Sequence, residues 1–552
     1  MNDYIIKLRQ FLESNNSDAI LINSADEFLS EYNILQLNSR YKVTGFSGSM
    51  GDCIVTKDKV YQIVDGRYHE QADNEVNHNI VTVLKMQQGS SPVNEILGIL
   101  NENSTLTVTT NKISVSFYEK LFEKAKEKNI CIKNINNDPI DDLSQNDYTN
   151  VSLTLVNKNI SGLSEEEKFQ YFSSKLKNNQ ILLVTTPVNF AYLTNLRNYD
   201  FPYSSAPRAK AVVSKNKIVL FSNSTIPFDF KGLEVKKLSE FKNYIENLEN
   251  KEILIDKTTI SQSDCMCINL SNKIIDSNIF EIKSEKNNNE IAHLKESFIK
   301  TDKVLKKMED LINSEKELTE YDLYCAITNF FKEEGAMAQS FKPIIASGAN
   351  SSIIHYSVAS KNKKIKDGDL IMIDCGGYFE GGIATDITRT FIKGSPTKEQ
   401  KIMYTKVFQA FVSTYTKKYT KNTTWQDIDL NTRKKLKSEE KNGWLFSHST
   451  GHGIGISVHE HPPVCAPFDV YAKPFKKHYV FSIEPGLYKQ GTGGIRLENA
   501  VYVKELSSNL KLEVLSRYPF EEKLIDKTIL SKKELKFLED WQNYGKKNYS
   551  SN

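Results

Sequence analysis

Apolar residues along the chain change spacing at a few definite places, and those changes divide it into elements. Residues 4–12 carry apolar side chains at helical spacing, Ala19–Ile22 is a short apolar strand, and CIVTKDKVYQIVDG reads as two strands around a turn at Lys57-Asp58-Lys59. Asp tolerates the left-handed backbone that tight turns often need, which supports the hairpin. VTGFSGSMGD before it is a Gly/Ser loop too irregular for a phosphate cradle and predicts a turn, and Asp65-Gly66 ends the second strand before a helical segment, DGRYHEQA. The polar stretch NINNDPIDDLSQNDYTN, residues 134–150, predicts an interdomain connection.

Beyond it the pattern returns. A helix is predicted over 164–177, a strand over 181–185 and a hairpin in VVSKNKIVLF with its turn at Lys215-Asn216-Lys217; VNFAYLTNLRNYD stands where KVTGFSGSMGD stood. Two α/β domains of similar build predict a duplicated module, and neither copy holds a cluster of histidines and carboxylates. Their expected work is to restrict access or to join subunits. Near Ser284 a polar run gives way to a long amphipathic helix beginning about Glu290, and LTEYDLYCAITNFFKEEG predicts a second, capped by Thr319 with Asp322 three residues on and ended by Gly335. From Phe341 strands dominate. The expected fold is therefore two tandem α/β domains, 1–150 and 151–284, followed by an α+β domain, 285–552, whose helices are segregated from an antiparallel sheet.

Composition narrows the partners. The 552 residues suffice for several domains with proper cores. Basic and acidic residues nearly balance, 72 against 69, so nothing marks the chain for nucleic acid or an anionic membrane. MNDYIIKLRQFLESNN lacks the apolar core and cleavage site of a signal peptide, and no window approaches the run of about eighteen apolar residues that a membrane span needs. Seven scattered cysteines (Cys53, Cys131, Cys265, Cys267, Cys325, Cys375, Cys465) read as reduced thiols of a cytoplasmic protein, with no second pair to make a zinc site of DCMC.

The chemistry concentrates in one stretch. Five of the nine histidines (His355, His448, His452, His459, His461) fall between positions 355 and 461, among acids in strand contexts: Asp374 in LIMIDCGG, Asp386 in ATDITRTF, Glu484 in VFSIEPGLY and Glu498 in GIRLENAVYV. Asp374 ends an apolar strand and the chain returns through Gly381-Gly382 into a second strand carrying Asp386, a hairpin expected to set the two acids side by side. Glu484 and Glu498 repeat the device, with GLYKQGTGG as the connecting turn, and Arg496 shares a strand face with Glu498, where it can orient that carboxylate or a substrate. Glycines on both sides of His452 allow close backbone approach. Two Asp, two Glu and one His favour hard or borderline divalent cations, Mn²⁺ first, and a pair of them, since four carboxylates would overneutralise one ion. Two metals roughly 3.5 to 4 Å apart can activate a water and polarise a carbonyl, so hydrolysis is the expected chemistry.

These residues carry a resemblance. IIHYS around His355, the strand pair of Asp374 and Asp386, HSTGHGIGISVHE, SIEPGLY and GIRLENAV resemble, in order, the motifs of aminopeptidase P, the Xaa-Pro aminopeptidases with the pita-bread catalytic fold. SEYN, TGFSGSMG, DGRYH and AYLTNLRNYDF resemble the two creatinase-like N-terminal domains of the long, three-domain form, and YPFEEKLIDKTILSKKELKFLEDW, with a capping box at Ser531 and Glu534, its C-terminal extension. The resemblance implies hydrolysis of the first peptide bond of peptides with proline second. Asp374 and Asp386 would bind one metal and His452 and Glu484 the other, with Asp386 and Glu498 bridging both; the ions would be Mn²⁺, with Zn²⁺ or Co²⁺ as alternatives. Glu484 would relay a proton from a bridging hydroxide's water to the leaving proline nitrogen, His459 and His355 would steady the scissile carbonyl and tetrahedral intermediate, and His448 and Arg496 would line the proline pocket. The substrate's amino terminus would lie near Asp374, and the protein would be a homodimer.

The twelve-residue step from Asp374 to Asp386 is one longer than is usual in that family, which changes a turn and not the face each Asp occupies. His461 stands where Gly is usual, Lys477-His478 replaces a Gly-containing turn, and His69, His78, His293 and His478 are assigned to surface or packing. Prolidase, which cuts dipeptides, is the nearest rival, disfavoured by the two leading domains and the tail. Methionine aminopeptidase usually lacks such an N-terminal half. Creatinase and the metal-free binding proteins of the fold, histone-chaperone relatives among them, lack the ligand set present here.

Overall fold

The computed structural model describes residues 2–87, 89–141, 149–507 and 509–549. The chain forms two compact units: Met1–Asn157, Leu163–Pro202 and Ala206–Phe280 make the first, and Lys158–Gly162, Tyr203–Ser205 and Glu281–Asn552 the second. Of the connection expected over 134–150, residues 142–148 lie outside the described residues.

The first unit holds two six-stranded sheets of one topology. In the first sheet Ala19–Ile22 pairs antiparallel with Asp52–Thr56 and parallel with Thr105–Thr109; Val60–Val64 and Val81–Lys85 extend one edge and Cys131–Ile135 the other. In the second, Gln180–Val184 pairs antiparallel with Lys210–Val213 and parallel with Glu252–Ile255, with Ile218–Phe221, Leu233–Lys236 and Lys273–Asp276 in the corresponding places. The likeness reaches local detail. The helix Ser39–Thr44 ends at Gly45 and the helix Pro187–Thr194 at Asn195, both left-handed, with φ of 77° and 56°. Gly and Asn are the residues that tolerate this conformation. The sequence analogy between KVTGFSGSMGD and VNFAYLTNLRNYD therefore reflects a repeated helix stop.

The second unit is antiparallel sheet backed by helices on two sides. Asn288–Asn313 and Glu320–Glu333 pack through Val304, Leu305, Leu323 and Ile327 onto Ile371, Ile373, Ile387 and Phe391 of the three-stranded sheet Ile344–Ser347, Leu370–Cys375 and Ile387–Ile392. Lys398–Tyr415 and Trp425–Leu436 pack with the C-terminal segment onto Phe481, Ile483, Val501 and Val503 of a six-stranded sheet that contains Gly451–Gly453, Glu460–Cys465, Val480–Ile483 and Asn499–Leu506. Side chains alternate along a strand. The odd-numbered positions that feed these two cores leave Asp374, Asp386, Glu484, Arg496 and Glu498 on the opposite faces. The cores thus dictate where the acids point.

The helix ends follow the sequence. Asn287 and Glu290 form the capping box of the long helix, Thr319 and Asp322 that of the next, and Gly335, at φ 83°, lies just past its end. The N–H of Ser531 donates to Glu534 at 2.8 Å, as the capping motif requires. No helix among the described residues is long and apolar enough to cross a membrane.

Candidate metal centre

Asp374 is the fifth residue of the strand Leu370–Cys375 and pairs with Thr388, while Asp386 precedes the strand Ile387–Ile392 by one residue. The two acids are diagonal neighbours on one face, not opposite each other as the hairpin reading expected. The reason is the turn: Gly382, at φ 63°, donates its N–H to Phe379 O at 2.8 Å, and Tyr378 pairs with Ala384, which fixes the register two residues away from an Asp–Asp pairing. His293, buried on the long helix, accepts the Gly381 N–H at 3.1 Å. The packing histidine of the sequence reading thus anchors this turn.

Glu484 and Glu498 do face each other. Ile483 pairs with Asn499 and Gly486 with Arg496, and Leu497 N–H donates to Pro485 O at 3.2 Å, so one register runs through both acids. The stretch read as a connecting turn is itself a hairpin, Gly486–Lys489 with Gly493–Arg496. His452 enters from Gly451–Gly453, and its glycines are required by contact: a Cβ at Gly451 would meet Ser482 O at 1.8 Å and one at Gly453 would meet Glu460 O at 2.1 Å. Strand spacing there leaves no room for a side chain.

The structure brings the acids and imidazoles together. His452 Nε2 is 3.5 Å from Asp386 Oδ2 and 3.6 Å from Glu484 Oε1, and Asp386, His452 and Glu498 each offer a ligand atom within 4.8 Å of the others. Asp374 joins them through Arg496, whose Nη2 donates to its Oδ2 at 2.6 Å. Arg496 is buried, and its expected role toward Glu498 is indirect: Nε donates to Thr388 Oγ1 at 3.2 Å, and that hydroxyl donates to Glu498 Oε2 at 2.8 Å. Its Nη1 donates to Tyr488 OH at 2.8 Å and to Ile354 O at 3.2 Å. Tyr488 OH lies 2.8 Å from His448 Nε2, and His448 Nδ1 lies 2.8 Å from Ser449 O and 3.8 Å from Glu484 Oε2. His459 meets His452 edge to face with centroids 4.3 Å apart. His355 is half-buried between Ile354, held by Arg496, and Tyr356. His461 is exposed.

Burial pushes Asp386 and Glu498 well above the usual carboxylate range, and the neighbouring acids push in the same direction; burial lifts Glu484 to about 7 against the pull of Arg496. One guanidinium does not balance four carboxylates. Two of the oxygens, Asp374 Oδ1 and Glu498 Oε1, are buried without a hydrogen-bond partner among the described residues. Buried polar atoms are rarely left so. An oxygen-rich donor set with orphaned carboxylate oxygens and one imidazole fits divalent cations.

Sequence reading missed three groups that shape this centre: Tyr488, which joins His448 to Arg496, Thr388, which joins Arg496 to Glu498, and Ser482, whose Oγ accepts the His452 N–H at 3.1 Å. Strand parity could have flagged Thr388 and Ser482, since both share a face with an acid; nothing local marks Tyr488 as more than a turn residue.

Known proteins resemble this chain over nearly its whole length. The pattern of metallopeptidase family M24 matches residues 292–505, and those of creatinase/prolidase N-terminal domains match 5–137 and 144–290. Xaa-Pro aminopeptidase 1 of Dictyostelium discoideum is 27% identical over 97% of this chain and 91% of its own. A probable Xaa-Pro aminopeptidase P of Coprinopsis cinerea is 28% identical over 97% and 93%. Among solved structures, the X-prolyl aminopeptidase of Caenorhabditis elegans, described as a cytosolic enzyme with a di-nuclear active site, superposes with a TM-score of 0.90 at 23% identity, covering 99% of this chain and 95% of that one. The chain thus carries two creatinase/prolidase N-terminal domains ahead of a pita-bread domain that matches metallopeptidase family M24 over residues 292–505.

Proposed function

We propose that this protein is a metal-dependent Xaa-Pro aminopeptidase, which hydrolyses the first peptide bond of peptides with proline second. The observation that carries this is the convergence of Asp386, His452 and Glu498, with Glu484 and Asp374 alongside, around carboxylate oxygens that no donor among the described residues satisfies. Asp374 and Asp386 would hold one cation and His452 and Glu484 a second, with Asp386 and Glu498 shared between them. The ions would be Mn²⁺, with Zn²⁺ or Co²⁺ as alternatives. When bound, such a pair lowers the pKa of water and polarises the scissile carbonyl.

The protein's own groups do the rest. Glu484, placed between His452 and His448, takes a proton from the attacking water and delivers it to the proline nitrogen as the C–N bond breaks, so that the products are a free amino acid and a peptide that begins with proline. His459 and His355 donate to the carbonyl oxygen as negative charge develops there. Arg496 aims Asp374 at its cation through a charge-assisted hydrogen bond and, through Tyr488, fixes His448 at the wall of the proline pocket. The substrate's ammonium group pairs with the acids near Asp374. Proline makes a tertiary amide with no N–H, so the pocket selects it by ring shape.

Free cysteines throughout the described residues agree with a reducing, cytoplasmic location. The expected assembly is a homodimer, and sedimentation as a monomer at working concentration would remove that reading. The deciding assay compares Arg-Pro-Pro, Arg-Ala-Ala and the dipeptide Arg-Pro. Arginine release from Arg-Pro-Pro alone supports the proposal; preference for Arg-Pro makes the protein a prolidase, and cleavage of Arg-Ala-Ala at a similar rate removes the proline requirement.

A further inference from the structure

Glu320, the first residue of the helix Glu320–Glu333, is fully buried, yet its partners among the described residues are neutral donors. Its Oε1 accepts the Ser347 N–H at 2.7 Å, the Ser347 hydroxyl at 2.9 Å and Asn350 Nδ2 at 3.1 Å. Its Oε2 accepts the Tyr356 hydroxyl at 2.8 Å, the Ser360 N–H at 3.1 Å and Asn350 Nδ2 at 3.2 Å. The start of a helix favours a negative charge, and an ionised carboxylate is the one side chain that only accepts, at about four lone-pair sites. A carboxyl group at the start of the helix thus gathers a loop around itself.

That loop carries His355. Beyond Ser347, which closes the strand Ile344–Ser347, the segment to 360 has one short helical turn, Gly348–Ser352, and otherwise no regular structure of its own. Glu320 ties it at both ends and at Tyr356. On the metal side, Ser351 Oγ accepts the Gly494 N–H at 2.8 Å, and Ile354 O accepts from Arg496, which in turn holds Asp374. His355 therefore stands between one residue tied to Arg496 and another tied to Glu320.

We propose that Glu320 is a positioning residue: it sets the place of the His355 imidazole relative to the scissile carbonyl without touching substrate or metal. The inference rests on the reading of the site given above, in which His355 steadies the developing negative charge. Gln at this position has the same shape but turns an amide N–H₂ toward donors on one side, so either the Ser347 pair or Tyr356 and Ser360 lose their acceptor.

The test is a double-mutant cycle of Glu320→Gln and His355→Ala, measured as arginine release from Arg-Pro-Pro in Mn²⁺-loaded protein, with bound metal counted in each variant. Hydrogen exchange of residues 347–360 in the metal-free protein gives a second readout that needs no activity. Glu320→Gln is expected to lower kcat by about 10- to 100-fold with KM changed less than about 3-fold and metal content retained, and to cost less than about 3-fold more in the His355→Ala background. Exchange should quicken within 347–360 alone. Tyr356→Phe, which removes one bond and leaves the carboxylate in place, should show the same coupling at smaller amplitude and decides the matter if Glu320→Gln does not fold. Losses that multiply independently, an unchanged kcat, or exchange quickened across the whole unit would overturn the inference. A wild-type protein inactive on every Xaa-Pro peptide would remove the underlying reading and the inference with it; an active wild type with independent losses removes the inference alone.

Discussion

Lys286 and Glu460 form an ion pair with side chains only 4% and 2% exposed, and Lys286 Nζ also donates to Lys283 O at 2.6 Å. Glu460 precedes His461 and follows His459, so the pair fixes the strand start beside the metal centre. Its second oxygen, Oε2, has no hydrogen-bond partner among the described residues, and the backbone of Gly455 closes over the carboxylate so tightly that a Cβ there would lie 2.1 Å from that oxygen. The carboxylate cannot swing to water. Lys286→Met keeps the stem and removes the ammonium, which leaves a buried charge uncompensated at a cost of about 3 to 5 kcal/mol. For a unit of about 280 residues the unfolding entropy is roughly 0.6 kcal/mol per degree, so the transition of this unit should fall by about 5 to 8 °C. Calorimetry of the metal-free protein reads this directly. Lys286→Met with Glu460→Gln leaves no charge to strand and should recover most of the loss. A fall below about 2 °C for the single variant, or a double variant that loses the sum of the two singles, would refute the reasoning that an unpaired charge, and not lost packing, sets the cost.

Other outcomes follow from the same physics. Asp302 is buried, accepting from Ser516 at 2.7 Å and Tyr549 at 2.6 Å, and burial raises it from 3.8 to about 7. The native state then holds a proton that the unfolded chain releases, so stability falls as pH rises from about 4 to about 7, by up to roughly 1.4 kcal/mol per pH unit, and the contribution is constant outside that window. Asp302→Asn should flatten the difference in Tm between pH 4 and pH 8, measured against wild type by scanning calorimetry; an unchanged slope would place the titration elsewhere. Gly451→Ala puts a methyl group against the Ser482 carbonyl and should lower stability by about 1 to 3 kcal/mol while displacing His452, seen as reduced bound metal on dialysis. Mn²⁺ at about a hundred times its Kd should stabilise the wild type by roughly 2.7 kcal/mol, and Glu498→Gln, which removes the carboxylate we propose both cations share, should abolish most of that gain in a thermal-shift titration.

The amphipathic patterns were enough to place elements because burial enforces them: Ala19–Ile22 and the hairpin turning at Lys57–Lys59 fall where their apolar runs demand, and the parity of the core-facing Ile371, Ile373, Phe481 and Ile483 assigns Asp374 and Glu484 to the other face. Duplication was visible as a recurring order of elements and is explicit in the shared strand order of the two sheets. Pairing across a turn was less legible. Asp374 meets Thr388 because the Phe379–Gly382 turn consumes a particular number of residues, which composition does not fix. Long-range hydrogen-bond partners outside the motif acids and His452 were not legible. That Arg496 reaches Asp374, 122 positions away, or that Glu320 gathers 347–360, depends on how separate strands and helices pack.

The most direct test of the central claim is arginine release from Arg-Pro-Pro by metal-stripped protein titrated with Mn²⁺, with a Glu484→Gln variant carried through the same titration. The account predicts no activity without metal, activity that saturates as about two ions bind, and loss of turnover in the variant. Full activity in the metal-free protein, or a Glu484→Gln variant that turns over at the wild-type rate with its metal bound, would contradict it.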